Sequence, residues 1–186
     1  MIFNKPSPEL VGKHAFLSPS SPHWLNYDDQ KLEARFFDYR SAQRGTDLHT
    51  WAHEAIRLGM RVHPDHSAIA AYVDDALNFG MVCEQMLVYS PNCFGTADTI
   101  GFYGGILRIH DLKTGKNTVS ERQLYVYTAL FCLEYGVDPY SIEWELRIYQ
   151  HDEAKVYNPT PELIVSIMEK IKYADDYIEE LKEARG

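Results

Sequence analysis

Cysteine is scarce in this chain of 186 residues, with three copies that lie far apart. Cys83, Cys93 and Cys132 form no Cys-x-x-Cys pair and no zinc-ligand spacing. The sequence therefore predicts buried, reduced thiols in a cytoplasmic protein. Long apolar runs are also missing, and the N-terminus lacks the basic-then-apolar pattern of a signal peptide, so no membrane partner is expected.

Positive charge is limited as well: 18 Lys and Arg stand against 27 Asp and Glu, which gives a formal net charge of -9. This balance argues against non-specific coating of nucleic acid, which relies on dense Lys and Arg. It does not exclude an enzyme that acts on nucleic acid, because such an enzyme can hold divalent ions in an acidic centre. Its basic residues would then be confined to one groove.

Hydrophobic periodicity and turn residues predict alternating helices and strands. The predicted helices cover 44–59, 65–79, 118–135 and the segment from Pro161 onward. The predicted strands cover 81–90, 95–103, 106–113 and 141–150. The step from the third strand through a helix to the fourth is long enough for a parallel crossover. The predicted fold class is therefore α/β, with a mixed central β-sheet flanked by helices.

Local signals predict where several of these elements begin and end. Thr46 or Asp47 is the expected N-cap of the first helix. Gly104-Gly105 between two strand-like runs predicts a β-hairpin. Ser120 and Gln123 have the spacing of a capping box. The length favours one domain over 1–186, with an arm at 1–43, a core at 44–150 and a C-terminal helix at 159–186.

Two carboxylates and a lysine meet on the predicted hairpin. Asp98 stands at the end of one strand, and Asp111 and Lys113 form an Asp-x-Lys on the next. Alternation along a strand puts Asp111 and Lys113 on one face. Carboxylates from neighbouring strands, with the backbone carbonyl of Leu112, suit Mg²⁺ or Mn²⁺. The lysine can orient or help deprotonate an attacking water, or pair with a phosphate. Read singly, these residues also fit a turn and a solvated strand face.

Two further positions have both a functional and an ordinary interpretation. His49 would add an imidazole, which suits Mn²⁺ better than Mg²⁺, but a lone histidine is more often a satisfied core residue. Gln123 and Tyr127 are four apart and share a helix face. Gln123 also fits the capping box, and Tyr127 also fits the core.

The ordered set of these residues resembles the PD-(D/E)XK nuclease superfamily in its RecB-like exonuclease branch. The resemblance is carried by His49 in "GTDLH", Asp98 in "GTAD", Asp111 and Lys113 in "IHDLKTG", and Gln123-x-x-x-Tyr127. The segments "HAFLSPSSPHWLN" and "RIYQ" resemble phage-encoded proteins of this branch. In that group a cysteine often follows Trp-Leu-Asn, where this chain has Tyr27.

The resemblance implies a restriction-endonuclease-like core and roles for particular residues. Asp98, Asp111 and Lys113 would be catalytic, and His49, Asp98, Asp111 and the Leu112 carbonyl would bind metal. Glu84 would lie near a second metal, and Gln123 and Tyr127 would line the cleft and touch DNA phosphates. Some relatives hold an iron–sulfur cluster on four cysteines, a pattern that this chain lacks, so no cluster is expected.

The expected function is a metal-dependent deoxyribonuclease, an exonuclease in phage or mobile-element recombination or replication. It would use Mg²⁺ or Mn²⁺ in the host cytoplasm, with DNA and a recombination protein as partners. One alternative is a catalytically silent DNA-binding accessory protein, which needs its basic residues on one side of the cleft. The residues concerned are Arg108, Lys116, Arg122, Arg147 and Lys155. The other alternative is an acidic interaction protein that inhibits a host enzyme. Oligomeric state, strand preference and polarity of digestion stay open.

Overall fold

The computed structural model describes residues 15–61, 67–115 and 120–184. The chain divides into two compact units, Met1–Thr46 and Asp47–Gly186. A short 3-10 helix at Pro22–Asn26 lies in the first unit, and the helix α1, Asp29–Arg57, begins in the first unit and ends in the second. The ring of Phe16 packs edge-on against Phe36, with centroids 5.5 Å apart. All candidate site residues belong to the second unit.

The expected start of α1 at Thr46 or Asp47 is wrong, because the helix begins at Asp29. Residues 29–43 are rich in Lys, Leu, Glu, Ala, Arg and Gln, which favour helix even without a continuous apolar stripe. The carboxylate of Asp28 accepts a hydrogen bond from the Lys31 N–H at 2.8 Å. The Thr46 hydroxyl donates to the Ala42 carbonyl at 3.3 Å, a bond made inside a helix rather than at its start.

The second unit contains a mixed sheet, as expected from the sequence, but with five strands where four were predicted. The strands are β1 Val82–Ser90, β2 Cys93–Tyr103, β3 Ile106–Leu112, β4 Glu143–Gln150 and β5 Glu153–Tyr157. They lie in the order β1-β2-β3-β4-β5, and β3 and β4 are the parallel pair. The hairpin at Gly104 and Gly105 is confirmed, and both glycines have positive φ, +60° and +80°. Only glycine adopts this backbone without a steric cost.

Strand β5 is absent from the sequence prediction. It follows a turn at His151 and Asp152, which have φ of 52° and 60° without being glycines. The segment "EAKVY" is short and mostly exposed, so it has neither a glycine turn nor a clear apolar face to mark it. The antiparallel partner β4 supplies the pairing instead.

Helices cover both faces of the sheet. The remaining helices are α2 Ala68–Asn78, α3 Arg122–Tyr135 and α4 Pro161–Glu183, with a 3-10 helix at Pro139–Ser141. One apolar cluster joins α3 and α4 to the sheet through residues such as Leu107, Leu124, Leu130 and Ile164. A second cluster joins α1 and α2 to the sheet through Ala52, Ile56, Tyr72, Leu112 and Tyr149. None of the helices within the described ranges is both long and apolar enough to cross a membrane.

The capping box expected from Ser120 and Gln123 does not form. Helix α3 begins at Arg122, and Glu121 is its N-cap without a side-chain cap bond. The Gln123 side chain points to Lys113 and Tyr127 instead, because these polar partners are within reach on the sheet side of the helix.

The alternation of side chains between the two faces of the sheet is interrupted at the same level in β1 and in β2. Cys83 packs with the α1/α2 cluster and Leu87 with the α3/α4 cluster, although strict alternation would put both on one face. The break coincides with Glu84, whose φ is +53°. Glu84 falls between the pairs Cys83–Thr99 and Gln85–Ala97, opposite Asp98. Because of this irregularity, the side chain of Asp98 does not follow the regular alternation along β2.

Candidate active site

The site begins where β2 and β3 separate. Their last ladder pair on this side is Thr99 with His110, so Asp98 and Asp111 would come next. Instead, the Leu112 N–H donates to Oδ2 of Asp98 at 3.1 Å. Strand β3 stays attached to β4, where the Lys113 N–H donates to the Tyr149 carbonyl at 2.8 Å. The result is an opening in the sheet lined by two carboxylates.

Asp111 and Lys113 form a close ion pair in this opening. The Lys113 Nζ lies 2.9 Å from Oδ1 and 2.9 Å from Oδ2 of Asp111. The Asp111 side chain is only 4% exposed. Burial, helped by the nearby Asp98 charge, raises the pKa of Asp111 to about 6, and Lys113 opposes the rise. Oδ2 of Asp111 has no well-directed hydrogen bond despite the close ammonium, so it keeps a lone pair for another ligand.

Helix α3 holds the lysine from the other side. The Lys113 Nζ donates to Oε1 of Gln123 at 3.2 Å, and Nε2 of Gln123 donates to the Tyr127 hydroxyl at 3.3 Å. That hydroxyl donates to the Thr96 carbonyl at 2.6 Å. The series of bonds fixes both the direction of Gln123 and the position of the ammonium.

Gly95 makes room for this arrangement. A Cβ atom at position 95 would stand 3.0 Å from Cε1 of Tyr127. The tyrosine ring therefore lies directly against the β2 backbone, and any side chain at this position would push it away.

Helix α1 brings two histidines to the opening. Nδ1 of His49 lies 3.7 Å from Oδ2 of Asp98. Burial lowers the pKa of His49, while Asp98 acts in the opposite direction. His53 follows one helical turn later and is 5% exposed. His49, His53 and Asp98 each offer one ligand atom, and these three atoms lie within 4.8 Å of one another.

His53 is itself held by two neighbours. Its Nε2 is 3.2 Å from the Tyr72 hydroxyl, and its Nδ1 is 3.4 Å from Oε1 of Glu84. Glu84 also pairs with Arg57, which stands one turn beyond His53 on α1. Glu84 thus contacts a histidine of the site, and it is not a member of the His49, His53 and Asp98 group.

The predicted site residues converge in one region, and one participant was missed. Asp98, Asp111 and Lys113 meet at the opening, with His49 on one side and Gln123 and Tyr127 on the other. His53 was not considered from the sequence. Its spacing of four residues from His49 was the available signal, since such residues share a helix face.

The donor atoms suit a divalent cation. Carboxylates, a backbone carbonyl and neutral imidazoles are ordinary ligands for Mg²⁺, Mn²⁺ and neighbouring metals. His49, His53 and Asp98 form a close group that could hold a metal ion at the opening. These residues do not by themselves identify the metal.

Two of the basic residues named from the sequence, Arg108 and Arg147, are paired with acids of the protein itself. Nε of Arg108 lies 3.3 Å from Oε2 of Glu145, and its guanidinium stacks on Phe79, with Cζ 4.2 Å from the ring centroid. Arg147 pairs with Asp75 and Glu145. Both arginines thus neutralise acids on the α2 side of the sheet. Arg122 and Lys155 are exposed, and Lys116 lies outside the described residues.

Known proteins add no relative to this description. Comparisons with protein-family models, with curated proteins and with solved structures gave no match.

Proposed function

We propose that this protein is a metal-dependent deoxyribonuclease with a PD-(D/E)XK core. The observation that carries the proposal is the Asp111–Lys113 pair, 2.9 Å apart, beside Asp98 in the opening between β2 and β3. An acid pair with an adjacent lysine can supply what metal-assisted phosphodiester hydrolysis uses: oxygen ligands for a cation and an ammonium for the reacting phosphate.

The metal ligands in this proposal come from three elements. Asp98 from β2, Asp111 and the Leu112 carbonyl from β3, and His49 from α1 would hold Mg²⁺ or Mn²⁺. When bound, such an ion activates water and stabilises charge on phosphoryl oxygens. Glu84 contacts His53, at 3.4 Å, and not the ion.

The protein's own groups then orient the reaction. Lys113 is held by Asp111 on one side and Gln123 on the other, so its third donor can face a water or a phosphate oxygen. Tyr127 secures Gln123 and lies at the rim of the opening. Both α3 residues are therefore suited to position the DNA strand near the lysine.

The exonuclease activity and the pathway rest on the sequence resemblance. We expect linear DNA as substrate, in phage or mobile-element recombination or replication in the host cytoplasm. A recombination protein is the expected partner.

The test is a digestion assay with linear and circular DNA in Mn²⁺, Mg²⁺ or EDTA. The wild-type protein should degrade linear DNA only with a metal, and Asp111→Asn and Lys113→Ala should each lower the rate at least ~100-fold. Lys155→Ala is the matched control, because this exposed lysine on β5 pairs only loosely with Glu153, at 4.0 Å.

Three results would reject the nuclease. Intact DNA in every lane would favour the acidic interaction protein, whose charge of -9 and internally paired arginines offer DNA little attraction. Digestion that survives both active-site substitutions would indicate a contaminating enzyme. Metal-dependent DNA binding without cleavage would favour the silent accessory protein.

A further inference from the structure

We infer that an aromatic pocket in the first unit binds an unpaired base of single-stranded DNA. The pocket has a volume of about 590 Å³ and uses none of the residues to which the proposed function gives a role. Its aromatic rings belong to Phe16, Trp24, Tyr27 and Tyr39. The inference rests on the proposed function, because it specifies the substrate of the same enzyme as DNA with an unpaired end.

Two segments of the chain build the pocket. The residues that α1 contributes share one helix face, and they are Arg35, Asp38, Tyr39 and Ala42. The other lining residues come from 15–27, where Nε1 of Trp24 donates to the Ser18 carbonyl at 3.1 Å. This bond fixes the turn that precedes the 3-10 helix. The volume lies within the range of about 300–1,000 Å³ that sites for small ligands span.

The four rings are open enough to contact a ligand. Each of them is half-buried, whereas the core tyrosines Tyr72 and Tyr149 are fully buried. The ring centroids of Phe16 and Tyr39 lie 5.5 Å apart with planes tilted by 48°, so these rings do not stack on each other. Every nucleobase has a π face, and stacking on aromatic side chains binds single strands with little regard to sequence. The rings are therefore suited to hold a base.

Polar groups beside the rings suit the rest of a nucleotide. Nη1 of Arg35 lies 3.7 Å from Oδ2 of Asp38, and both side chains are exposed, so the pair is loose. A guanidinium in such a pair can turn its other donors to a phosphate. Nζ of Lys31 lies 4.6 Å from the centroid of the Tyr27 ring, which places a second positive charge next to the same rings.

The distribution of charge also favours the first unit for contact with DNA. Residues 1–46 contain six Lys and Arg and five Asp and Glu, whereas 47–186 contain 12 and 22. The whole excess of negative charge therefore lies in the second unit. The first unit by itself offers a phosphate backbone little repulsion and several cations.

Stacking in this pocket would select unpaired bases. In a duplex each base lies between its neighbours, and a protein reaches its face only after the base has been unpaired and unstacked. A single strand offers the face without most of that cost. The expected substrate is thus linear DNA with a single-stranded end rather than a blunt end.

The experiment measures the binding of two fluorescently labelled hexamers to the full-length protein in EDTA, which prevents metal-dependent cleavage. One hexamer is oligothymidylate, and the other is an abasic strand with the same label and the same number of phosphates. Fluorescence anisotropy at low salt should give at least ~10-fold tighter binding of the thymidine hexamer, because only this strand can stack.

Substitutions in the pocket test where the bases stack. Trp24→Ala and Tyr27→Ala should each weaken binding of the thymidine hexamer at least ~5-fold and leave binding of the abasic hexamer unchanged. Tyr27→Phe keeps the ring and should keep the wild-type affinity. Tyr103→Ala is the control, because this tyrosine is 83% exposed at the end of β2, in the second unit.

Several results would overturn the inference. Equal affinity of the wild-type protein for the two hexamers would reduce the contact to phosphate attraction. Unchanged thymidine binding in both alanine variants would place the bases elsewhere, and an equal loss for both hexamers would indicate a structural role of the rings. No binding of either hexamer would assign the pocket to another occupant, such as a proline-rich peptide.

The nuclease proposal can fail independently of the pocket. Base-dependent hexamer binding together with intact linear DNA in Mn²⁺ would uphold the pocket and reject the nuclease. Digestion of linear DNA by a protein that binds both hexamers equally would uphold the nuclease and reject the pocket.

Discussion

At the residue scale, the most unusual group is the carboxyl of Asp111. It is almost fully buried, it faces a second carboxylate in Asp98, and a single ammonium compensates it. Its pKa rises from 3.8 to about 6, which means that the folded protein holds the ionised form at a cost. The arrangement is better explained by chemistry at the site than by stability.

Because the folded protein keeps the buried Asp111 carboxylate ionised at a free-energy cost, a neutral residue at this position should stabilise the fold. The folded pKa is above the unfolded one, so stability from this group is present below pH 3.8 and is lost as pH rises toward about 6. The full difference is about 3 kcal/mol, and loss of the Lys113 pair reduces the gain. In EDTA, Asp111→Asn should therefore raise the free energy of unfolding at pH 7.5 by about 1–2 kcal/mol.

Urea unfolding of both proteins at pH 4.5 and pH 7.5 measures this effect. The advantage of the Asn variant should be larger at pH 7.5, since other titrating groups are common to both proteins. A variant less stable than wild type at pH 7.5 would mean that the Lys113 pair outweighs the burial of the charge.

The residue scale is also where sequence reasoning was most informative. Asp98, Asp111 and Lys113 could be grouped because a hairpin and strand alternation bring them together by local rules alone. His53 could not be separated from the core in the same way, because Ala52 and Ile56 beside it are buried and give the helix an ordinary apolar face. Its contacts are with Glu84 and Tyr72, which are distant in sequence.

At the element scale, β1 is shaped by one residue. Glu84 has φ of +53° in the middle of a strand, and the faces of β1 reverse there. A left-handed conformation costs a residue with a Cβ about 1–2 kcal/mol, so the contacts with Arg57 and His53 must outweigh that cost.

Two substitutions at position 84 separate backbone strain from side-chain contacts. Both Glu84→Gly and Glu84→Ala remove the carboxylate, yet the glycine variant should be more stable by about 1 kcal/mol, because glycine adopts this φ freely. Thermal unfolding of the pair measures the difference.

Met86 provides the comparison, since it lies on the same strand and has no positive φ. There the order should reverse, with Met86→Ala more stable than Met86→Gly by about 0.5–1 kcal/mol. The same order at both positions would exclude strain at Glu84.

Elements were predicted well where local signals and packing agreed. The Gly104-Gly105 hairpin, the β3–α3–β4 crossover and the start of α4 at Pro161 all occur. The start of α1 was missed because Thr46 and Asp47 look like caps but lie inside a run of helix-forming residues. The alternative interpretation of Gln123 as a capping residue was wrong, because its partner Lys113 becomes a neighbour only after folding.

At the scale of the whole molecule, charge controls how nucleic acid could approach. The formal charge is -9, and Arg108 and Arg147 already neutralise internal acids. Asp98 and Asp111 add negative charge at the opening itself. A phosphate backbone would therefore meet repulsion at this point unless a divalent ion is bound.

The charge distribution predicts that DNA binding depends on the metal. In EDTA, an Asp98→Asn/Asp111→Asn double variant should bind a fluorescently labelled duplex about tenfold more tightly than wild type, because two repulsive charges are removed at the contact point. Fluorescence anisotropy at low salt measures both affinities.

A charge-matched control uses Asp176→Asn with Glu180→Gln, two exposed acids on α4. It changes the net charge equally and should improve binding much less. Equal improvement would show that overall charge, rather than the opening, limits the approach of DNA. Tight wild-type binding in EDTA would contradict the prediction.

The contact between Gly95 and Tyr127 limits how this sequence can diverge. A Cβ atom at 95 would collide with the ring that secures Gln123 and, through it, Lys113. A larger residue at 95 requires the ring at 127 to shift or to be lost, and loss of the ring also gives up the bond to the Thr96 carbonyl. Among descendants of this chain, changes at the two positions should therefore be correlated, and lineages that lose the ring should lose the constraint on Gln123 as well.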